Sequence, residues 1–576
     1  MFERLSRFFS SIRVPFAHKL ESFLEKLSAG DKLIAGVLAG FAIAASLGAL
    51  YALESSFLIE KPTDGGKLTE GIVGSPRFVN PLLAISDTDR DLSSLTYAGL
   101  MGEGTNGALV PVLAESYEVS EDGTVYTFIM KSGVRFSDGT PVTADDVVFT
   151  VEKAQDPTLK SPEFANWANI RAEAVDARTI RFTLPKPYAP FIEDTTLGIL
   201  PAHLWRTVSD EEFAFSTLMT HPVGAGPFRV SNVHRNGSGI IDRMDLVASR
   251  EFALGRPHLD SIRFYFFAQQ RDLEAALKNG RIESAYGIAK AGAVTAPYAQ
   301  VFGVFWNGNQ NPLFTHIEVR KALSLMTDRG SIVKDALGGF ATPVEGPLPP
   351  GSGIVVPQSS TTPITQEERV AAATKTLTNN GWKLDTESNT WKNAKSKLEL
   401  TVTLRTSNVP ELKAVATALK EQWAALNVPV SIELYEPGDL TQNVIRPRKY
   451  DALLFGMVVG RDADLFAFWD SAERNDPGLN IAMYANKSVD DLLEKMRTEG
   501  NAETRKDDLA KASALITADY PAVFTHTPDF VYVIPKGLGG VAFAQIAEPS
   551  DRFAGVWGWY RQTERVWPVF SQVSSR

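Results

Sequence analysis

The sequence predicts an α/β protein of more than one domain, preceded by a single membrane-spanning helix. Three observations carry this. The chain has 576 residues, beyond the roughly 250–300 at which one hydrophobic core stops growing. In its later part Leu398, Leu400, Val402 and Leu404 alternate as a strand, Leu412, Val415, Leu419, Trp423 and Leu426 share one helical face, and Val430, Ile432 and Leu434 alternate again. Two strands joined in this way by a helix lie parallel with a right-handed crossover. Near the N-terminus the run 33–53 is uncharged over about 21 residues, long enough as a helix (~31 Å) to cross a bilayer of roughly 30 Å.

Before that run stand Arg4, Arg7, Arg13, Lys19, Lys26 and Lys32, and after it the next basic residue is Lys61. The positive-inside rule therefore places the N-terminus in the cytoplasm and the bulk of the chain outside. A cleaved signal peptide is the competing reading, opposed by the long leading segment and the lack of an A-x-A site. Phe2, Leu5, Phe8, Phe9 and Ile12, among Arg4, Arg7 and Arg13, fit an interfacial helix ending near Pro15. Gly36 and Gly40 offer a small-residue face. Residues 1–32 are thus a basic cytoplasmic segment, 33–53 the spanning helix and 54–67 a linker.

Composition excludes several functions. A hydrophobic content of 44% with 10% aromatics describes a globular body. A net charge of −10 argues against nucleic acid, which needs concentrated positive charge. With no cysteine there is no disulfide, no thiolate metal site and no lipid-modified N-terminal Cys. Nucleophile elbows, phosphate loops and HExxH helices are absent, and seven scattered histidines share no spacing. No enzymatic activity, cofactor or metal is expected.

Between Pro111 and Lys153 two Asp-Gly pairs, Asp122-Gly123 and Asp138-Gly139, mark tight turns. Val125–Met130 alternates between them as a strand without a polar face, followed by a short strand. Thr143, three residues before Asp146, starts a helix with a capping-box pattern, continued by Val147, Val148 and Val151. Residues 175–184 form an Asp-containing turn and a strand. A strand is expected at 301–306, and another, nearly all apolar, over 451–459, as in a sheet covered on both faces.

These residues carry a resemblance. Pro111, Leu113-Ala114-Glu115-Ser116, Asp122-Gly123, Tyr126, Phe128, Gly133-Val134, Phe136, Asp138-Gly139, Pro141, Thr143-Ala144, Asp146-Val147 and Phe149 stand as in the signature of the family 5 extracellular solute-binding proteins. These are the oligopeptide-, dipeptide- and nickel-type receptors of bacterial ABC importers. Gly224-Ala225-Gly226-Pro227-Phe228 resembles the family's GTGPY turn, and Val319-Arg320 through Asp328-Arg329 its vR…DR segment. Phe136 replaces the usual Trp.

The resemblance spans about residues 68–545 and implies a two-lobed periplasmic-binding-protein-like fold of type II with an extra α+β domain. Lobe I would comprise 68–100, 224–300 and 530–576, the extra domain 101–223, and lobe II 301–529, with chain crossings near 300 and 528. It implies a receptor that closes over a peptide between its lobes and docks on ABC permease and ATPase subunits, held to the membrane by its N-terminal helix. The alternatives are a non-peptide solute (metal chelate, opine or oligosaccharide) and a peptide-binding sensor or chaperone without transport.

For ligand contact the resemblance points to the end of the 451–459 strand: Val458, Val459, Gly460, Arg461, Asp462, Asp464 and Trp469. Met457 replaces a family Trp, and Gly460 stands where the peptide receptors carry the Asp that pairs with the peptide's α-ammonium. Asp462 or Asp464 could supply that carboxylate, or they could order the turn and cap the next helix. Trp306, Asn307 and Asn80 are further candidates, with packing the alternative for Trp306.

Overall fold

The computed structural model describes residues 28–104, 107–290, 292–354, 364–460 and 463–567, with side chains 51–56 excepted. The chain falls into two compact units, one holding residues up to Thr63 together with Gln562 onward, the other Asp64–Arg561.

In the first unit a helix spans Ala29–Phe57, its start fixed by Ser28, whose Oγ accepts the Asp31 amide at 3.2 Å. Its segment Ala29–Leu50 has a mean hydropathy of 2.2 and no buried surface. Leu33, Phe41 and Leu47 are exposed, and by length and composition the helix is long and apolar enough to cross a membrane. A β-carbon at Gly36 or Gly40 would meet nothing. The interfacial helix expected over residues 2–13 lies outside the described residues. The expected linker is not wholly irregular. Ile59–Thr63 pairs antiparallel with Gln562–Val566, in a two-stranded ladder where Pro62 is tolerated because each strand has a free edge.

In the second unit one sheet of 12 strands runs from Val430–Tyr435 at one edge to Phe228–Arg235 at the other. At its middle Ala522–Val533 pairs antiparallel with Gln300–Trp306 through its first half and with Val294–Pro297 and Ser284–Tyr286 through its second. The chain therefore passes twice between the two halves of the sheet, at 297–300 and 527–529. The β-α-β pattern is present: Val402–Ser407 and Val430–Tyr435 are parallel, joined by the helix Pro410–Ala424. The first strand starts at Val402 rather than Leu398. Glu399 instead bridges to Lys392, beside the Trp382–Asp385/Thr390–Asn393 hairpin.

The apolar central strands are explained by two cores. Val304 and Trp306, with Leu404, Leu454 and Trp423, face one side; Val301 and Phe305, with Leu453, Met457 and Trp469, face the other. The Arg residues of the vR…DR segment act as clamps on this layer. Arg320 donates to the carbonyls of Phe314, Asp519 and Tyr520 (2.6–2.9 Å), and Arg329 to those of Val344 and Phe524.

The stretch 111–184 forms its own four-stranded sheet over a separate core. Val125–Met130 is central in it, with Tyr126, Phe128 and Met130 buried and Ile129 on the open face, so only one side of the strand is fully covered. The expected short strand after it reduces to a single bridge, Arg135 to Pro141. The helix Ala144–Ala154 begins as expected: Thr143 donates its amide to Asp146 at 2.8 Å, and the other Asp146 oxygen accepts the Ala202 amide.

The 224–228 turn shows why its glycines matter. A β-carbon at Gly226 would lie 2.5 Å from the Thr96 carbonyl carbon, and one at Gly224 2.2 Å from the Thr96 oxygen. Because the obstacle is backbone, Gly226→Ala should cost about 2–3 kcal/mol, read as a lower denaturant midpoint.

His526, where the long strand nears the second crossing, is buried and stacked on Phe302 at 5.0 Å. Burial pushes its imidazole down to about 4. An unfolded His titrates near 6.5, so the unfolded chain binds the extra proton between those values. Stability at this position is full above about pH 6.5 and is lost as pH falls toward 4. The loss should approach ~2–3 kcal/mol by pH 4.5, and His526→Phe should flatten that part of a pH–stability curve.

Candidate functional site

The strand Ala452–Val458 delivers a short loop to the boundary between the two halves of the sheet. Val459 is buried and donates its amide to the Ala299 carbonyl at 2.8 Å, so the loop starts beside the first crossing. Gly460 has a φ of 75°, the left-handed region that glycine adopts at least cost, and turns the chain. Arg461 and Asp462 lie outside the described residues. Asp464 then accepts the Phe466 amide at 2.9 Å, opening the helix Phe466–Trp469, and stands 3.5 Å from Arg497.

Arg497 lies 4.3 Å from the Phe466 ring and 5.1 Å from the Tyr188 ring. Its carbonyl accepts the Ala189 amide at 2.9 Å, bringing the 111–220 region against this loop.

A cleft of about 430 Å³ opens here. It is lined by Val459, Gly460 and Asp464 of the loop, by Tyr188, Glu193 and Asp194, and by Glu548 and Asp551. At Glu163, Thr196, Leu197, Glu548 and Asp551 it adjoins an inner chamber of about 340 Å³. The inner walls include Tyr97, Met101, Phe252, Phe553 and Trp557. Both volumes suit small ligands.

The electrostatics of the cleft are set by carboxylates held close together in partial burial. Burial pushes Asp194 up to about 7, and the nearby charges of Glu163 and Glu193 add to the rise. Glu163 is raised by burial as well, opposed by its hydrogen bond from Asn166 and by Arg90. Asp551 accepts the amides of Ala547 and Glu548 at 2.8 and 2.9 Å, which fixes that side.

Of the residues singled out in the sequence, the structure brings Val459, Gly460 and Asp464 to the cleft. Val458 is half exposed on the strand end and lines neither chamber. One Asp464 oxygen accepts the amide that opens the short helix, as the turn-ordering reading expects, and the residue also borders the cleft. Trp469, Trp306, Asn307 and Asn80 are buried and line neither chamber. Trp306 stacks on Phe314 at 4.5 Å in the lobe core. Asn307 donates to the Arg448 carbonyl and accepts the Asn309 amide, ordering a turn. Asn80 accepts the Leu82 amide at 2.9 Å. Glu163, Glu193, Asp194, Glu548 and Asp551 were not legible as cleft residues. They sit in or beside helical turns of four or five residues, too short for a periodic pattern to single them out.

The sequence profile of the bacterial extracellular solute-binding proteins, family 5, matches residues 108–476. The chain belongs to this family. As a family 5 protein it is 26% identical over 506 residues to the oligopeptide-binding protein AppA of Bacillus subtilis, covering 84% of this chain and 90% of that protein. It is 31% identical over 279 residues to the glutathione-binding protein GsiB of Shigella flexneri, covering 46% of this chain and 52% of that protein. The crystal structure of the ABC transporter substrate-binding protein CtaP of Listeria monocytogenes is similar with a TM-score of 0.72 at 26% identity, over 87% of this chain and 100% of that one. The B. subtilis AppA structure in complex with a nonapeptide shares the fold, with a TM-score of 0.65 at 23% identity over 87% and 99%. The two-lobed α/β architecture of the family is therefore that of this solute-binding protein.

Proposed function

We propose that this family 5 protein is the membrane-tethered receptor of an ABC importer and takes short peptides into the cleft beside residues 459–464. The observation that carries this is the cleft itself. It is bordered by the loop after the Ala452–Val458 strand, lies next to the chain crossings, and is roomy enough for a small ligand. The oligopeptide-binding relative AppA, matched over most of both chains, supports peptide as the solute.

In this reading 68–100, 224–300 and 530–576 form lobe I, 101–223 the added domain and 301–529 lobe II. The lobes close by bending at the two crossings. An extended peptide offers the same amide groups whatever its sequence, so backbone contacts tolerate varied side chains. The protein's role is capture and delivery without bond cleavage, with permease and ATPase subunits as partners. The apolar helix Ala29–Phe57 supplies the tether, which raises the receptor's local concentration at the permease. Intact N-terminal residues in protein recovered from membranes would support the tether; a mature chain starting after residue 57 would remove it.

Asp464→Asn tests the cleft. Asn keeps the oxygen that caps Phe466 and removes only the charge, so a role in binding a peptide ammonium predicts at least about a tenfold loss of affinity. Calorimetry with the full chain in detergent, giving unchanged affinity, would move the ammonium site elsewhere.

A further inference from the structure

We propose that Arg497 is a closure latch, a positioning residue that ties the added domain to lobe II when the cleft is shut and so sets the rate at which a solute leaves. This rests on the lobes and the cleft assigned above. Arg497 stands in the last turn of the helix Lys487–Thr498, whose Val489, Leu493 and Met496 are buried in the core that backs the cleft loop. Lys495 of the same turn pairs with the buried Asp508 at 2.6 Å, which fixes that end of the helix on lobe II. The segment it meets is as firmly seated in the added domain. The Tyr188 carbonyl accepts the Tyr126 hydroxyl at 3.1 Å, and the Phe191 ring packs edge-on against Tyr126, Trp167 and Phe182. Two separately anchored pieces therefore touch, and the chain between them runs through the first crossing.

Three contacts meet at Arg497. Its carbonyl accepts the Ala189 amide at 2.9 Å, and no other backbone hydrogen bond among the described residues joins 101–223 to 301–529. Its guanidinium lies near two rings, Tyr188 of the added domain at 5.1 Å and Phe466 of lobe II at 4.3 Å. Its Nε stands 3.5 Å from Asp464 but makes no hydrogen bond among the described residues. These are weak contacts. A cation over a ring shifts an equilibrium by roughly two- to thirtyfold, enough to favour one state and little enough to be reversed.

The latch is coupled to the ligand site through its neighbours. Tyr188 and Asp464 both line the cleft, as does Val459, which is bonded to the first crossing at Ala299. Bending at the crossings carries the Tyr188 ring onto or off the guanidinium, while the same guanidinium lies beside Asp464. Closure thus completes the latch and steadies the carboxylate in one movement. Release has to break the Tyr188 and Ala189 contacts, whereas capture by the open form does not, so the latch acts on departure more than on arrival.

Because the chain has no cysteine, Glu118→Cys in the added domain and Lys420→Cys in lobe II, both at exposed positions, can each carry a spin label. Pulsed electron spin resonance on the full chain in detergent then reads the separation of the two bodies, without ligand and with Ala-Ala-Ala. Arg497→Gln and Tyr188→Leu should each reduce the short-distance population at least twofold. Made together they should do no more than either alone, since they share one contact. Arg497→Lys, which keeps the cation, should restore most of it. Dissociation of Ala-Ala-Ala should quicken about tenfold in Arg497→Gln, with association changed less than threefold. A merely structural role would lower the urea midpoint and leave the distances alone. Distances in Arg497→Gln matching those of the otherwise unaltered labelled chain would overturn the latch and leave the receptor reading standing, and so would the absence of any short-distance population in that chain under both conditions. Ala-Ala-Ala failing to bind would count against the peptide reading, and the ligand-free distances would still decide the latch.

Discussion

Replacing Arg552 by Ala should destabilise the second unit by about 3–5 kcal/mol, one of the two largest single effects expected in this chain. Its guanidinium is fully buried between two carboxylates that are also fully buried. It donates to Glu70 at 2.8 and 3.0 Å and twice to Asp91 at 2.7 Å, and Nη1 also reaches the Pro549 carbonyl at 2.6 Å. Glu70 in turn accepts from Ser284 at 3.0 Å and from the Tyr532 hydroxyl. Phe553 covers the guanidinium at 4.0 Å and Tyr286 at 4.6 Å. Burial works against the Arg552 charge, yet Asp91 and Glu70 outweigh it and hold the group above its ordinary value. One side chain thus joins the first strand of the sheet, the helix Asp87–Thr96, the crossing strand and the C-terminal segment.

Removing Arg552 leaves two carboxylates in the interior without their counter-charge. They can relax only by taking up protons, so the deficit should be largest near neutral pH and shrink as pH falls toward 4–5. Glu70→Gln, Asp91→Asn and Arg552→Met made together should recover more than half of the loss, since well-packed neutral groups avoid the uncompensated charge. Chemical denaturation of the two variants at pH 7 and pH 5 decides it. A loss below about 1 kcal/mol at pH 7 would mean that water reaches the site.

What was legible in the sequence divides along a physical line. Local periodicity and turn chemistry announced the strand Val125–Met130, the capped helix at Ala144 and the β-α-β of residues 402–435, because each is specified by residues a few positions apart. The glycines of 224–226 stood in the sequence as a motif, but their reason, the backbone of Thr96, lies about 130 positions away. The Glu70–Arg552 pair is separated by 482 positions and has no local signature at all. The acidic lining of the cleft falls in the same class, since Asp194, Asp464 and Asp551 border one space only once the chain is folded. Gly460 and Asp464 were singled out through the family resemblance of the segment that follows the apolar strand. Trp306 was picked out at a strand end and Trp469 in the Phe-Trp pair of the resemblance, and pattern alone cannot tell a ring that lines a cleft from one that fills a core.

Trp469 offers the sharpest separation of those two roles. It is fully buried, 5.8 Å from Tyr484 and from Phe524 and 6.2 Å from Phe305. Truncation to Ala removes a large ring from the core that backs the cleft loop, and should cost about 3–5 kcal/mol because the sheet and the helix Lys487–Thr498 cannot collapse into the space. If its role is packing, the loss appears in the denaturant midpoint. Peptide affinity measured well below that midpoint should then change less than threefold, since Asp464 is placed by its own bond to Phe466 and by Arg497. Trp469→Phe should retain about half of the stability lost in the Ala variant, because it keeps most of the apolar contact. If instead the ring meets the ligand, affinity would fall tenfold or more in both variants at a temperature where each is folded. Calorimetry alongside urea unfolding of the two variants therefore assigns Trp469 to the core or to the cleft, and the packing geometry assigns it to the core.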